Sequence, residues 1–373
     1  MFFSSLRTVS FRNLSDNEVF TGAKDVFLIG ENGQGKSNFL EALYFCSYAS
    51  SFRTTRDSEL ANSVCARNGE KDFSAKVNIS QSENDEILIK FEKGKKSIII
   101  NGKHTEDRKE LLSIAPCIVF CHEDMEFING SPERRRWFFD QTLSLYDPVY
   151  LEDLRRYKRI LKSRNTLLRD YAKSVYSKKK SKENIESVLD ALDPQFALYG
   201  FKLIEKREKA VQDFSGIFGT LYEEVSGISG ITVQYTQSWK GIKENDIISL
   251  LQQRRAGDMA AGQSLCGPHR DRYTFAHNGT DFTIKASTGQ RRLLALLLRA
   301  AQANRFSTMT GHNPLLLLDD VLLEMDGEKR RRFLSVLPVY DQAFYTFLPE
   351  EPYQRYQKED TLVYNVKQGT LSK

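Results

Sequence analysis

Apolar positions recur with two different periods along this chain, and the period changes twice. Over the first 130 residues the spacing is that of strands. SLRTVSF and DVFLIG read as strands, and AKVNIS, EILIKF and SIIINGK as an antiparallel meander closed by the Asn101-Gly102 turn. CIVF is apolar throughout, as a strand buried on both faces should be. From Ser131 the spacing becomes helical, with Leu154, Tyr157, Leu161 and Leu168 set among basic residues. PQFALYGFKLIEKREKAVQDFSGIFGTLYEEV continues it, with Phe196, Leu203, Phe214, Ile217 and Leu221 as packing positions, and KKKSKEN is a polar break between two long helices. After Gly230 the strand pattern returns in ITVQYTQ, RYTFAH and TDFTIKAS, the last two flanking Asn278-Gly279. GQRRLLALLLRAAQANR reads as a helix, PLLLLDDVLLEMD as a buried strand running into a turn, and QAFYTF as the last strand. The pattern predicts an α/β protein in which residues 1–130 and 229–373 form one domain and residues 131–228 are an inserted α-helical arm.

Composition changes this picture little: 40% hydrophobic, 28% charged and 9 prolines are ordinary for a globular chain of 373 residues. Charge distribution adds more. Leu151–Asn184 holds 12 Lys or Arg against 4 Asp or Glu, which leaves the remainder of a chain of net charge +5 slightly acidic. Such a block is either a solvated helix face or a phosphate-binding surface. Five cysteines without framework spacing fit a reducing compartment. Cys117, Cys121 and His122 are read as core strand rather than metal ligands, because no second ligand pair follows. MFFSSLRTVSFRN lacks the apolar core of a signal peptide and no apolar run approaches the length of a membrane span. A soluble cytoplasmic protein is expected, with no membrane partner.

The chemistry is concentrated at three places. Gly30-Glu31-Asn32-Gly33-Gln34-Gly35-Lys36-Ser37 has the Walker A spacing between a strand and the helix SNFLEALYFCS. Glycines let successive N–H groups turn inward on a phosphate, and the helix start adds its dipole. Lys36 is expected on the β- and γ-phosphates of a nucleotide and Ser37 on Mg²⁺, with Asn38 next in line. LLLLDD ends a buried strand in two carboxylates, and Asp319 is expected to hold Mg²⁺ and Asp320 to orient or deprotonate a water. In KASTGQRR, Ser287 and Gly289 open a second helix that can receive an anion, here the γ-phosphate bound by a second copy.

In this order the motifs resemble the ABC-type ATPases of the SMC class. SFRNL, GENGQGKSNFLEALY, SFRT, NGSPERRRWFFD, DPVYLEDLRRYKRILKSRN, GPHRD, ASTGQRR and LLLLDDVLLEMD are together similar to the RecF family of bacterial DNA replication and repair proteins over most of the chain. The resemblance implies a P-loop ATPase head, a mixed sheet with flanking helices, carrying a short helical arm. It implies ATP-dependent homodimerisation, binding of gapped DNA or of single-stranded/double-stranded junctions, and action with recombination mediator proteins to load recombinase and assist the SOS response. Ser287, Gly289 and Gln290 would be the signature, and Arg12 and Asn13 would approach the nucleotide. Arg291, Arg272 and Leu323 depart from the family's usual residues, and no clear switch histidine or Q-loop glutamine is present, although His122 or Glu123 stands near the latter's place. Asp320 is one methylene shorter than the glutamate of transporter-type relatives, and a misplaced base costs about a hundredfold in rate, so turnover should be slow. Arg155, Arg156, Lys158, Arg159, Lys162 and Arg164 on the arm, with Arg134 to Arg136 near its base, are the expected DNA contacts. A solvated or acid-paired face is the other reading of the same arginines. An ATP-binding protein that bridges DNA without significant hydrolysis is the alternative function.

Overall fold

The computed structural model describes residues 2–64, 69, 71–80, 85–174, 182–322 and 325–373. Contacts divide the chain into two units, Met1–Asp124 with Arg292–Lys373, and Met125–Arg291.

The first unit is built on two six-stranded sheets. One is antiparallel, in the order β2 (Glu18–Phe20), β1 (Phe2–Val9), β4 (Phe73–Ser80), β5 (Asp85–Glu92), β6 (Lys95–Ile100) and β7 (Lys103–Thr105). It contains the expected meander, and Asn101 and Gly102 both take positive φ at its turn. The other runs β15 (Thr370–Ser372), β14 (Leu362–Lys367), β3 (Asp25–Ile29), β13 (Gln342–Phe347), β12 (Leu315–Leu318) and β8 (Cys117–Phe120), parallel except for β15. Its inner strands carry apolar side chains on both faces, which is why DVFLI and LLLL show no alternation. Helix α1 (Lys36–Tyr48) lies between the sheets and buries Phe39, Leu40 and Leu43 in a core shared with Phe3, Val77, Leu317 and Phe344. Gln342 ties the sheets together: its buried amide nitrogen lies 2.6–3.1 Å from the carbonyls of Phe3, Thr21 and Ala23, and its oxygen accepts from Phe3 N at 2.8 Å. QAFYTF is therefore not the last strand. β14 follows it and pairs with β3, a placement that needs the whole sheet to be assembled.

The second unit holds α3 (Glu126–Asn129), α4 (Pro132–Tyr146), α5 (Pro148–Ser174), the 45-residue α6 (Lys182–Ser226) and α7 (Ile247–Ala261), together with a small sheet of β9 (Ile231–Thr236), β10 (Arg272–His277) and β11 (Thr280–Asp281). (The short helix Arg108–Ile114, α2, belongs to the first unit.) The helical run from Ser131 divides at Asp147-Pro148, where proline offers no N–H and Asp147 caps the new helix by accepting from Tyr150 N at 2.8 Å. Residues 178–181 of the expected KKKSKEN break lie outside the described residues, while Lys182–Asn184 are already helical. TDFTIKAS is a strand for two residues only. Asp281 then caps a helical turn, α8 (Phe282–Lys285), by accepting from Thr283 N. Residues 229–291, expected with the terminal pieces, pack with the helices instead. β9 lies along α6, and Ser215 of α6 accepts from Val233 N at 2.8 Å.

Two buried arginines lock this unit. Arg207 meets Asp140 at 2.7 Å and Asp271 at 2.9 Å and donates to Pro268 O, joining α4 and α6 to the GPHRD turn. Arg164 meets Asp193 at 3.0 Å and Asp258 at 2.7 Å, joining α5, α6 and α7. His269 of the same turn bonds Tyr157 Oη, and burial pushes its imidazole down to about 4.

Candidate functional site

The five parallel strands of the mixed sheet, β14, β3, β13, β12 and β8, point their carboxyl ends the same way, toward the edge at which ligands bind in such sheets. The loop 30–37 leaves β3 at that edge. Gly33 and Gly35 take φ of +78° and +118°, open to glycine, and a Cβ on Gly30 would meet the carbonyl of Val366. Gly35 caps α1 without a side-chain acceptor, and the first turn of α1 carries no acid, so the N–H groups of the helix start remain for an anion. Lys36 is buried, and its ammonium folds back on the carbonyls of Gly30 and Glu31 at 2.6 and 3.2 Å.

Alternation along β12 decides which carboxylate meets this loop. Leu315 and Leu317 face α1, so Asp319 does too. Ser37 Oγ donates to Asp319 Oδ1 at 2.8 Å across 282 residues of sequence. Burial first, and the neighbouring Asp320 carboxylate second, push the Asp319 carboxyl up to about 6. A hydroxyl and a crowded carboxylate at this distance are the hard oxygen donors that Mg²⁺ takes, and a cation would relieve the repulsion between the two acids, so the residues fit that ion. Asp320 takes the left-handed φ of 50°, uncommon for a residue with a side chain.

A rim of side chains braces the loop. Asn13 donates to Gly33 O and accepts from Asn38, while Gln34 O accepts from Gly369 N at 2.7 Å. Gly369 itself has φ +79°, and a Cβ there would strike the carbonyl of Asn13. Arg12 reaches this rim only through α1, since its guanidinium forms a bidentate pair with buried Glu41 at 2.9 Å. Arg53, from the SFRT segment and not among the expected site residues, donates to Asn38 at 2.8 Å and lies 3.9 Å from Glu123. His122 is exposed beside it, and among the described residues no cluster of metal-binding side chains is found, Cys117 and Cys121 being buried in and just after β8.

In the second unit Ser287 and Gln290 form a reciprocal capping box at the start of helix α9 (Thr288–Thr310). Ser287 N donates to Gln290 Oε1, Gln290 N donates to Ser287 Oγ, and Gly289 between them is exposed. Leu323 and Glu324 lie outside the described residues. On α5, Arg156, Lys158, Arg159 and Lys162 are exposed and Arg155 is half-buried. Arg164 is not available to DNA: it is fully buried and holds two carboxylates. The signal was in the sequence, because position 164 follows Tyr157 by seven and precedes Leu168 by four, the core face of the helix. Arg135 is likewise spent, on the carbonyls of Phe127, Ile128 and Tyr273, and Arg136 donates to that of Asp271, whereas exposed Arg134 pairs with Glu126.

A strand–phosphate-loop–helix, an acid pair ending a parallel strand two places along the same sheet and a helical insertion define an ATPase-type head of the ABC/SMC fold. A family model described as the RecF/RecN/SMC N terminal domain matches residues 2–370. The SMC head bound to the C-winged helix domain of ScpA shares the fold at 16% identity and a TM-score of 0.54, over 100% of this chain and 96% of that one. Within this class the chain belongs to the RecF family. It is 43% identical to the DNA replication and repair protein RecF of Treponema pallidum (strain Nichols) over 98% of this chain and 99% of that protein. RecF of Clostridium perfringens (strain SM101 / Type A) is 31% identical over 100% and 99%. A solved structure described as the recombination mediator protein RecF-ATP in the RecFOR pathway is 26% identical with a TM-score of 0.86, covering 100% of this chain and 97% of that one.

Proposed function

We propose that this chain binds ATP with Mg²⁺ at the 30–37 loop and uses it to join two copies around DNA in replication and recombinational repair. The observation that carries the reading is Lys36, a buried ammonium that among the described residues meets only main-chain carbonyls, beside an uncapped helix start. Family membership and the solved relative described with ATP support it. Lys36 would bind the β- and γ-phosphates, and the N–H groups of Gly33 to Asn38 the others. Ser37 and Asp319 would hold Mg²⁺, which supplies charge neutralisation for the phosphates when bound. Asp320 would orient the attacking water, slowly for want of a methylene, so that hydrolysis acts as release. Ser287, Gly289 and Gln290 would meet the γ-phosphate held by the second copy, and Asn13 would keep the loop open while Arg12 braces α1.

The cations Arg155, Arg156, Lys158, Arg159 and Lys162 would bind phosphates of gapped DNA, giving affinity that depends on salt more than on sequence. Mediator proteins and recombinase would be the partners in loading and in the SOS response, in the cytoplasm. Light scattering of wild type and Lys36→Met, with ATP·Mg²⁺, with ADP, and with gapped DNA added, tests the clamp. Mass should double only for wild type with ATP, and a mass indifferent to nucleotide would sink the reading.

A further inference from the structure

We infer that Thr346 is a positioning residue for the acid pair, holding Asp320 in the orientation that hydrolysis requires; this rests on the hydrolytic reading above. Strands β12 and β13 are parallel and in register, with Leu318 opposite Tyr345, so Asp319 leaves β12 level with Thr346. Thr346 is buried, between Tyr345 and Phe347, where a strand interior has no need of a hydroxyl. That hydroxyl accepts from Asp320 N at 2.7 Å and lies 2.8 Å from Asp320 Oδ1 and 3.3 Å from Asp319 Oδ1. It has a single proton to give, and the shorter distance assigns it to Asp320. Arg292 Nη2 holds the third polar group of the same residue, donating to Asp320 O at 3.2 Å. Asp320 thus has its N–H, its carbonyl and one carboxylate oxygen pinned while its backbone sits in the left-handed region. A residue in that conformation persists where its surroundings over-determine it, and such residues gather at sites where direction matters. Thr346 pins two of the three groups and directs the free carboxylate oxygen of Asp320.

The full chain with Thr346→Val and Thr346→Ser tests this through ATP affinity, KM and kcat. Thr346→Val should bind ATP·Mg²⁺ within about twofold of wild type and lose about ten- to a hundredfold in kcat, the cost of a misplaced group. Thr346→Ser, which returns the hydroxyl, should recover most of that rate. Thr346→Ala serves the same purpose if the valine does not fold. A valine variant turning over at the wild-type rate would overturn the inference, as would parallel loss of affinity and rate that serine does not restore. Should wild type itself bind ATP but not hydrolyse it, the hydrolytic reading fails separately. Crystal structures of wild type and Thr346→Val then decide: Asp320 released to an ordinary φ supports the inference, and Asp320 unmoved overturns it.

Discussion

Lys36 in the first unit and Arg164 in the second are both buried cations on helices, and the protein treats them in opposite ways. Arg164 is matched by two carboxylates and by Ser264 Oγ, and Arg207 in the same unit by two more carboxylates. Among the described residues, Lys36 meets only carbonyl oxygens. A buried charge whose counter-charges come from its own unit is part of the fold, because removing it strands those acids without water. A buried charge left with dipoles still has its Coulombic attraction to offer, and an anion is the natural recipient. Burial alone therefore does not mark a functional cation. The identity of its partners does.

The most drastic way to break this comparison is Arg207→Met. Asp140 and Asp271 would be left buried and unpaired, and unfolding stability should fall by about 3–5 kcal/mol. Urea denaturation measures it, and a loss below about 1 kcal/mol would show that the network does not hold the second unit together.

Asp319 offers a pH test of the other site. Its folded value of about 6 lies above the ordinary 3.8, so its contribution to stability is full below about pH 4 and is lost as pH rises through 6. Mg²⁺ needs the ionised carboxylate, and its affinity should therefore rise with pH over the same window, by up to about tenfold per unit on the acid side. Melting curves from pH 4.5 to 7.5 should show the first effect in wild type and not in Asp319→Asn. An unchanged slope in the variant would move the titration to another group.

Lys162→Ala should give the smallest change. On the proposed DNA reading exposed Lys162 is one phosphate contact, and its removal should lower DNA affinity evenly across sequences and reduce the salt slope by about one, with stability untouched. Arg164→Met, two residues along the same helix, should instead destabilise the fold. If the two variants behave alike, in salt titrations or in denaturation, the distinction between a face that binds and a face that packs is lost.

Much of the candidate site was legible in the chain because its parts are local. The phosphate loop is one contiguous strand, turn and helix, and the backbone that presents its N–H groups follows from glycines at fixed spacing. LLLLDD announced a strand buried on both faces, since only such a strand tolerates four leucines in succession. The helical stripe on α5 was also readable, including the clue that position 164 faces inward. The capping box that opens α9 lies within four residues and needed no tertiary knowledge.

What the fold alone decided are the meetings between distant segments. Neither Thr346 nor Gly369 belongs to a recognisable motif. The first became a neighbour of the acids because β12 and β13 pair in register, the second a brace because β14 joins β3 and returns its turn over the loop. The same holds for Gln342, whose amide is satisfied only when two sheets come together. Spacing along a chain encodes which face of an element a side chain occupies. It does not encode which other element will arrive there, because strand order and register are settled by burial of the whole core at once.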